Sequence, residues 1–274
     1  MGRVAGLFVY PVKGCRGITL EHAVLETRGL RHDRRWMIAS PQGRFLSQRE
    51  LPALATIETR IDGEALHLVV GGRHLALPLD DRGEAVEVQI WRDGASARRP
   101  DRAADVLLSA CLGREVMLVR FPDATRRACD PAFAAEAETG FADGFPLLVT
   151  STASLDEVNE AILERGGSPV PMTRFRPNLV IEGVAARTED LSSRLDLAGG
   201  VGLRLVKPCA RCIVTTTDQA TGERGSGEPI DSLRRIRRDP SSGEVLFGQN
   251  AVPEPESATC IAVGEAVRLR RAAL

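Results

Sequence analysis

Two cysteines three positions apart are the residues of this chain best suited to chemistry. They lie in the segment Val206-Lys-Pro-Cys209-Ala-Arg-Cys212-Ile-Val, between two apolar, β-branched runs. We therefore expect a tight connection between two strands. Cysteine attacks electrophiles and binds metals as the thiolate, and the neighbouring Arg211 and Lys207 favour that ionised form. The segment is a candidate for metal binding or redox chemistry.

Spacing alone leaves several interpretations of this pair. A structural zinc site usually takes four Cys or His ligands, but the cysteines at 15, 111, 129 and 260 are isolated and the four histidines show no ligand spacing. A thioredoxin-like pair opens a helix, whose dipole lowers the thiol pKa, whereas a strand is expected here. A single thiolate ligand to a soft, redox-active metal stays open. So does the plainest interpretation, two buried thiols that only fill the core.

Composition narrows the class of protein. The 274 residues are 43% hydrophobic and 27% charged, with a formal net charge of −1. No global field attracts nucleic acid, so we expect no nucleic-acid partner. We also expect no membrane partner, because no apolar run reaches the roughly eighteen residues that a span needs. The sparse cysteines and the absence of a leader-like start indicate a reducing, cytoplasmic location.

The elements that must position these residues are mostly strands. Turn residues such as Asp62-Gly63 and Gly71-Gly72 separate short β segments over the first hundred residues, which indicates an antiparallel sheet or barrel. The predicted strands there are Leu7–Tyr10, Ala23–Thr27, Trp36–Ala39, Leu54–Arg60, Ala65–Val70 and Ala85–Trp91. Later strands are predicted at Leu147–Thr150, Asn178–Glu182, Leu203–Val206, Thr215–Thr217 and Ala262–Leu269.

Three helices complete the prediction of an α+β, strand-rich fold. The first covers Asp101–Leu112, with Asp101 as N-cap and Gly113 as stop. The second begins at the capping box Ser154-Leu-Asp-Glu157 and ends at Gly166-Gly167. The third runs from Pro229, a favoured first position, to about Arg238.

Five short motifs, taken in order, resemble one known family. They are Tyr10-Pro-Val-Lys13-Gly-Cys-Arg-Gly17, Asp33-Arg34-Arg-Trp36, Phe175-Arg176-Pro-Asn178, Cys209-Ala-Arg-Cys212-Ile-Val-Thr-Thr216 and Leu246-Phe-Gly-Gln249-Asn250. Each is weak alone, but together they resemble the MOSC superfamily, named for the C-terminal domain of molybdenum cofactor sulfurase. Their order and spacing are similar to those of the mitochondrial amidoxime reducing component and its bacterial relatives.

The resemblance implies a fold and a cofactor. The fold is an N-terminal β-barrel-like domain over residues 1–122, followed by a mixed β-barrel domain with peripheral helices over residues 123–274. The cofactor is molybdenum-molybdopterin, with the Cys212 thiolate as metal ligand and with Lys13 and Arg34 reaching the pterin and its phosphate. The other implied cofactor contacts are Gly14, Gly144, Phe145, Arg176, Asn178, Ala210, Arg211 and Asn250.

Some of these positions carry specific expectations. Relatives often have Ser where this chain has Gly14, so a backbone N–H replaces a hydroxyl contact there. The Asp143-Gly144-Phe145 turn offers backbone N–H groups that cradle phosphate oxygens. Asp143 itself is the candidate catalytic residue on a proton path, with a turn-stabilising aspartate as the alternative. Arg126 and Arg127 are interpreted as a solvated pair outside the site.

The implied activity is a two-electron reduction of N-hydroxylated compounds, in which R–NHOH, two electrons and two protons give R–NH2 and water. The chain has no cysteine set for an iron–sulfur cluster, so we expect a separate electron-donor protein. One alternative is a carrier that holds the molybdenum cofactor without turnover. Another is sulfur transfer through a persulfide on Cys212. The superfamily is also associated with pyridoxal phosphate binding, but with only Lys13 and Lys207 an internal desulfurase is not expected.

Overall fold

A computed structural model describes residues 1–254 and 258–271. The described strands are β1 (Gly2–Val9), β2 (Val12–Lys13), β3 (Ile18–Leu20), β4 (His22–Glu26), β5 (Gly29–Leu30), β6 (Trp36–Ala39), β7 (Glu58–Ile61), β8 (Ala65–Val70), β9 (Arg73–Pro78), β10 (Glu84–Ile90), β11 (Asp93–Arg99), β12 (Met117–Arg120), β13 (Leu147–Ser151), β14 (Leu179–Glu182), β15 (Ser192–Leu197), β16 (Gly202–Ala210), β17 (Leu246–Pro253), β18 (Thr259–Ala262) and β19 (Ala266–Arg271). The α-helices are α1 (Arg102–Leu112), α2 (Pro131–Ala134), α3 (Thr152–Glu164) and α4 (Ile230–Ile236). Single 3-10 turns cover Pro52–Thr56, Met172–Phe175, Glu189–Leu191 and Ile213–Thr216.

Seven strands close into a barrel. The order is β1-β14-β13-β17-β16-β15-β19, and β19 returns to β1. Neighbours are antiparallel except β13 and β14. Alternate residues point inward, as Leu203 and Leu205 of β16 do beside Leu195 and Leu197 of β15, and they fill the interior with aliphatic side chains. Closure pairs each of the seven barrel strands on both sides, while β3 extends the sheet from β1 outside the barrel.

The first strand closes this barrel although the rest of the barrel comes from residues beyond 146. Leu7 of β1 pairs with Leu179 of β14, and Gly2 pairs with Val267 of β19. Immediately after β1 the chain enters Tyr10 and then Lys13 of β2. The motif around Lys13 is therefore delivered directly to one end of the barrel.

Strands β2 and β6 to β12 form a strand-rich unit beside the barrel, whereas β4 and β5 pair with β18 in a separate sheet whose apolar residues join the barrel core. A five-stranded sheet, β10-β11-β12-β6-β2, and a three-stranded meander, β7-β8-β9, pack with α1 around a shared core. Strand β6 is buried on both faces: Trp36 and Ile38 enter that core, while Met37 and Ala39 contact a second cluster that includes Phe141. This second face supports the loop that carries Asp143.

Several predicted elements are confirmed. Helix α1 begins after Asp101, whose side chain accepts a hydrogen bond from Ala103 N at 2.7 Å, and it ends at Gly113 with φ of 67°. The strands predicted at Trp36–Ala39 and Ala65–Val70 have those bounds. Among the described residues no helix is both long and apolar enough to cross a membrane. The domain division at residues 122 and 123 stays a prediction, and its end at 274 lies outside the described residues.

Other predicted elements are wrong in instructive ways. The strand predicted at Leu54–Arg60 begins only at Glu58, because Pro52 opens a 3-10 turn that buries Leu54. The strand predicted at Thr215–Thr217 is instead part of the turn Ile213–Thr216, whose hydroxyls bond to carbonyls three residues earlier. Such local side-chain hydrogen bonds compete with a strand ladder.

Two helix starts and one strand also differ from the prediction. Helix α3 begins at Thr152, because the Ser151 hydroxyl accepts from Ser154 N at 3.1 Å and so caps the helix. Helix α4 begins at Ile230, one residue later than predicted, and Pro229 occupies its N-cap position instead of its first helical position. The strand predicted at Ala262–Leu269 is two strands, β18 and β19, separated by a turn at Gly264.

The burial of two thiols gives a test of this packing. Burial raises the pKa of Cys15 to about 12 and that of Cys129 to about 11, so both stay protonated and unreactive at pH 8.5. We expect iodoacetamide to modify the exposed Cys111 and Cys260 first and to spare Cys15 and Cys129. Mass spectrometry of tryptic peptides gives the order, and labelling in denaturant is the control. Rapid labelling of Cys15 in the native protein would contradict the packing.

Candidate cofactor site

All twelve residues predicted for the site line one cleft between the barrel and the N-terminal unit. They are Lys13, Gly14, Arg34, Asp143, Gly144, Phe145, Arg176, Asn178, Ala210, Arg211, Cys212 and Asn250. The cleft contains about 990 Å³ of space, part of it open to solvent. Segments separated by more than 200 residues in sequence thus meet in one cleft, and a concave site where polar groups from several segments converge is typical of a ligand or cofactor site.

The two cysteines of the opening motif have different surroundings. Cys209 is on β16, and its Sγ accepts a hydrogen bond from Arg211 Nη1 at 2.9 Å. Cys212 follows the strand in extended conformation, and its carbonyl accepts from Thr215 N and Oγ1 at 3.0 and 2.9 Å. Its Sγ has no hydrogen-bond partner in the described part of the chain. The backbone of Cys212 is fixed while its sulfur stays available in the cleft.

The cations expected to favour the Cys212 thiolate are directed elsewhere. Arg211 bonds to Cys209 Sγ and, through Nη2, to Phe175 O at 2.7 Å. The Lys207 ammonium lies 4.5 Å from the centre of the Phe133 ring. Arg211 therefore interacts with the sulfur of Cys209 rather than with that of Cys212.

Asn178 fixes the position of Arg34. The Asn178 side-chain oxygen accepts from Arg34 Nη1 at 3.0 Å and from Leu148 N at 3.2 Å, and its Nδ2 donates to Phe8 O at 3.1 Å. Asn178 is 1% exposed, so it acts here as a brace between strands rather than as a free cofactor contact. Arg34 also pairs with Asp33 at 2.6 Å. Asp33 is itself buried, so this ion pair lies inside the protein rather than on its surface.

Arg176 carries a buried donor without a partner. Its Nη1 donates to Gln219 Oε1 at 2.9 Å, while Nη2 is buried and has no hydrogen-bond partner. Burial lowers the pKa of Arg176 to about 10. Arg211 Nε is likewise buried and unpaired. Buried donors of this kind are rare unless a ligand or water satisfies them.

Tyr10, the single tyrosine of the chain, separates two of these guanidinium groups. The guanidinium carbons of Arg34 and Arg176 each lie 4.2 Å from the centre of its ring. A ring face attracts cations, so the tyrosine lets two like charges occupy neighbouring positions. Gly17 is required beside it, since a Cβ there would lie 2.5 Å from the ring.

Lys13 and Asp143 form an ion pair across the cleft. Lys13 Nζ donates to Asp143 Oδ1 at 2.5 Å and to Phe141 O at 2.8 Å. Trp91 Nε1 donates to the same Asp143 oxygen at 3.0 Å. Desolvation in the cleft would raise the pKa of Asp143, but the Lys13 ammonium outweighs it and holds that pKa far below its ordinary range. Asp143 is therefore a carboxylate at neutral pH.

Arg127, which sequence reasoning left outside the site as a solvated residue, is buried beneath it. Its guanidinium donates to the carbonyls of Gly140, Ala142 and Asp143 at 2.6 to 2.9 Å and pairs with Asp93 at 2.7 Å. This corrects the prediction, because only Arg126 is solvated. Arg127 fixes the backbone of the loop that presents Asp143. Nothing in the Arg126-Arg127 dipeptide distinguishes the two residues.

The remaining predicted residues supply shape. Gly14 has φ of 85°, a conformation that favours glycine, and its carbonyl accepts from Gln48 Nε2 at 2.7 Å. At Gly144 an added Cβ would meet no atom within 4 Å, and its φ is not in the left-handed region. Phe145 packs edge-on against Phe133. Ala210 of β16 pairs with Leu246 of β17, and Asn250 of β17 pairs with Lys207 of β16, so the two residues line the cleft from neighbouring strands.

The charges of the cleft favour an anionic group. Lys13 is paired with Asp143 and Arg34 with Asp33, but neither Arg176 nor Arg211 forms an ion pair within residues 1–254 and 258–271. In the same residues no group of three or more His, Cys, Asp or Glu side chains is arranged to hold a metal ion. The described side chains therefore offer a metal in this cleft no complete ligand set of their own.

Comparison with known proteins relates the chain to named relatives. Residues 1–115 match the MOSC N-terminal beta barrel domain, and residues 136–268 match the MOSC domain. Mitochondrial amidoxime-reducing component 1 of Homo sapiens is 32% identical over 294 residues, covering 98% of this chain and 83% of that protein. The Mus musculus protein of the same name is 30% identical, covering 91% and 75%. Molybdenum cofactor sulfurase of Oryza sativa subsp. japonica is 29% identical, covering 88% of this chain and 31% of that protein.

Variants of Arg126 and Arg127 test whether Arg127 stabilises the loop that carries Asp143. Replacing Arg127 with Met leaves three loop carbonyls without their donor and Asp93 without its cation, so we expect a loss of about 2–4 kcal/mol in the free energy of unfolding. Arg126→Met, on the exposed neighbour, is the matched control and should cost less than about 0.5 kcal/mol. Urea unfolding followed by circular dichroism measures both. Equal losses would refute the role of Arg127.

Proposed function

The chain belongs to the MOSC family, and from this premise we propose that it binds molybdenum-molybdopterin in the cleft and reduces N-hydroxylated compounds by two electrons. The proposal rests chiefly on one observation: the unpaired Cys212 sulfur shares a cleft with two arginines that lack carboxylate partners. The names of the relatives, amidoxime-reducing components and a molybdenum cofactor sulfurase, support it.

The side chains of the cleft suit such a cofactor. Arg176 Nη2 and Arg211 Nε are buried donors without partners, and guanidinium groups suit phosphate better than an ammonium does. The open space at Gly144 leaves room beside the turn for a bulky group. Cys212 offers the soft sulfur that a redox-active metal prefers. We assign Arg176 and Arg211 to the anionic part of the cofactor and Cys212 to the metal.

The bound group would supply the electron-accepting and oxygen-accepting chemistry, as cofactors do generally. The protein supplies position, charge and protons. The overall change is R–NHOH plus two electrons and two protons to R–NH2 and water, and the electrons come from a separate donor protein. No nucleophile from the chain is needed.

Asp143 positions the substrate in this proposal. Because Lys13 and Trp91 both donate to Oδ1, the other oxygen is left to accept a hydrogen bond from the N–H or O–H of the substrate. The lowered pKa of Asp143 makes it an acceptor rather than a stored acid. Its side chain is 72% exposed, so cleft water can deliver the protons past it.

Cys212 and Cys209 give a matched pair of variants for the metal assignment. We expect protein made in a host that synthesises the cofactor to contain close to one molybdenum per chain. The molybdenum content per chain should fall at least tenfold in Cys212→Ala, because the proposed thiolate ligand is removed. Cys209→Ala should retain most of its molybdenum. Elemental analysis by mass spectrometry, with pterin fluorescence of the denatured extract, measures both. Equal metal contents in the two variants would exclude Cys212 as the anchor.

Turnover separates a reductase from a carrier. Wild-type protein loaded with molybdenum and supplied with a reduced viologen dye should convert an aryl amidoxime to the amidine, as followed by chromatography. Asp143→Asn should lower kcat/KM at least tenfold, because it removes the acceptor charge, while the metal content stays within twofold of wild type. If the protein contains molybdenum but reduces neither amidoximes nor hydroxylamines, the alternative of a cofactor carrier without turnover would be favoured.

A further inference from the structure

Trp91 lies in a tight turn and has a backbone conformation that large aromatic residues rarely adopt. Ile90 of β10 pairs with Asp93 of β11, so Trp91 and Arg92 alone make the hairpin loop. The φ of Trp91 is 55°, in the left-handed region, where a bulky side chain is an outlier and glycine is normally found. Unfavourable backbone geometry of this kind tends to persist where the side chain has a function.

The Trp91 side chain reaches from the N-terminal unit to the loop that carries Asp143. Its Nε1 donates to Asp143 Oδ1 at 3.0 Å. The Arg49 guanidinium lies 4.6 Å from its ring centre, and the Phe45 ring lies 4.6 Å away at an angle of 61°. These contacts fix the plane of the indole. Trp91 still remains 39% exposed, whereas Trp36, the other tryptophan, is fully buried.

These contacts place a flat apolar surface and a carboxylate acceptor side by side. Trp91 and Lys13 both use Asp143 Oδ1, and Oδ2 has no partner in the described part of the chain. A ligand that donates a hydrogen bond to Oδ2 lies next to the indole. If a flat conjugated group carries that donor, it gains stacking on the aromatic ring as well, a contact available to planar groups but not to small alkyl groups.

We propose that Trp91 is the specificity-determining residue of the cleft, selecting substrates whose N-hydroxy group is attached to a flat conjugated system. The indole stacks on the conjugated group while its N–H holds Asp143 in place to accept from the N–H or O–H of the substrate. This inference rests on the proposed function for the identity of the reacting group. The selectivity itself is a property of binding and is measurable without turnover.

Two hydroxamic acids that differ only in the ring provide the probe. Benzohydroxamic acid and acetohydroxamic acid carry the same C(=O)–NHOH group, attached to a phenyl ring in the first and to a methyl group in the second. Their dissociation constants would be measured by equilibrium dialysis on the molybdenum-loaded protein without an electron donor. We expect wild type to prefer the phenyl compound, Trp91→Leu to reduce that preference roughly three- to tenfold, and Trp91→Phe, which keeps a ring, to stay within about twofold. An unchanged preference in Trp91→Leu would overturn the proposal.

Fluorescence gives a second, direct measurement. The chain has only two tryptophans, and Trp36 is buried away from solvent. Benzohydroxamic acid should therefore quench the emission of the wild type and leave that of Trp91→Phe almost unchanged. Equal quenching in both proteins would place the ligand away from Trp91 and contradict the inference.

The outcomes distinguish this inference from the proposed function. If the wild type reduces neither hydroxamic acid with a viologen donor, but Trp91→Leu still loses the phenyl preference, the reductase proposal fails and the role of Trp91 in recognition stands. If the wild type reduces both compounds and the ratio of their kcat/KM values is the same in Trp91→Leu, the reductase stands and the role of Trp91 is wrong. Circular dichroism of each variant verifies folding.

Discussion

The site depends on the hydrogen bonds that Asn178 makes where three strands of the barrel meet. Its backbone N donates to Leu148 O, its backbone O accepts from Phe8 N, and its side chain bonds to both neighbours again. The same side-chain oxygen accepts from Arg34 Nη1. One amide thus ties the closing strand to the barrel and sets the position of a cleft arginine. The residue that joins these barrel strands therefore also positions Arg34 in the cleft.

That geometry gathers several positively charged side chains in the cleft. A barrel closed by its N-terminal strand brings Lys13 and Arg34 to the same end as Arg176, Arg211 and Cys212. Tyr10 lies against both Arg34 and Arg176, and the ion pairs Lys13–Asp143 and Arg34–Asp33 leave Arg176 and Arg211 without a carboxylate partner in the described part of the chain. Burying unpaired positive charge is costly unless an anion accompanies it. The fold therefore builds a place for an anionic group beside one free thiol.

How much of this could be predicted from sequence varied with the range of the interaction. Signals contained within a few residues predict these elements correctly: Asp101 and Gly113 mark the two ends of α1, and short β segments between turn residues give β6 and β8. The prediction of a cap at Ser154 is wrong, because α3 begins where β13 stops pairing with β14, and that point is set by tertiary contacts. The motifs identified residues that meet in the cleft, although nothing local separates Arg127 from Arg126. Trp91 was missed because it was assigned to the end of a strand, and its contact with Asp143 crosses 52 positions.

We propose that the Cys212 sulfur is a ligand of the metal, and this proposal can be tested on the metal itself. X-ray absorption at the molybdenum edge counts sulfur neighbours directly. We expect one more sulfur per molybdenum in the wild type than in Cys212→Ser protein loaded by the same route, with Cys209→Ser like the wild type. An identical sulfur count in wild type and Cys212→Ser would contradict it.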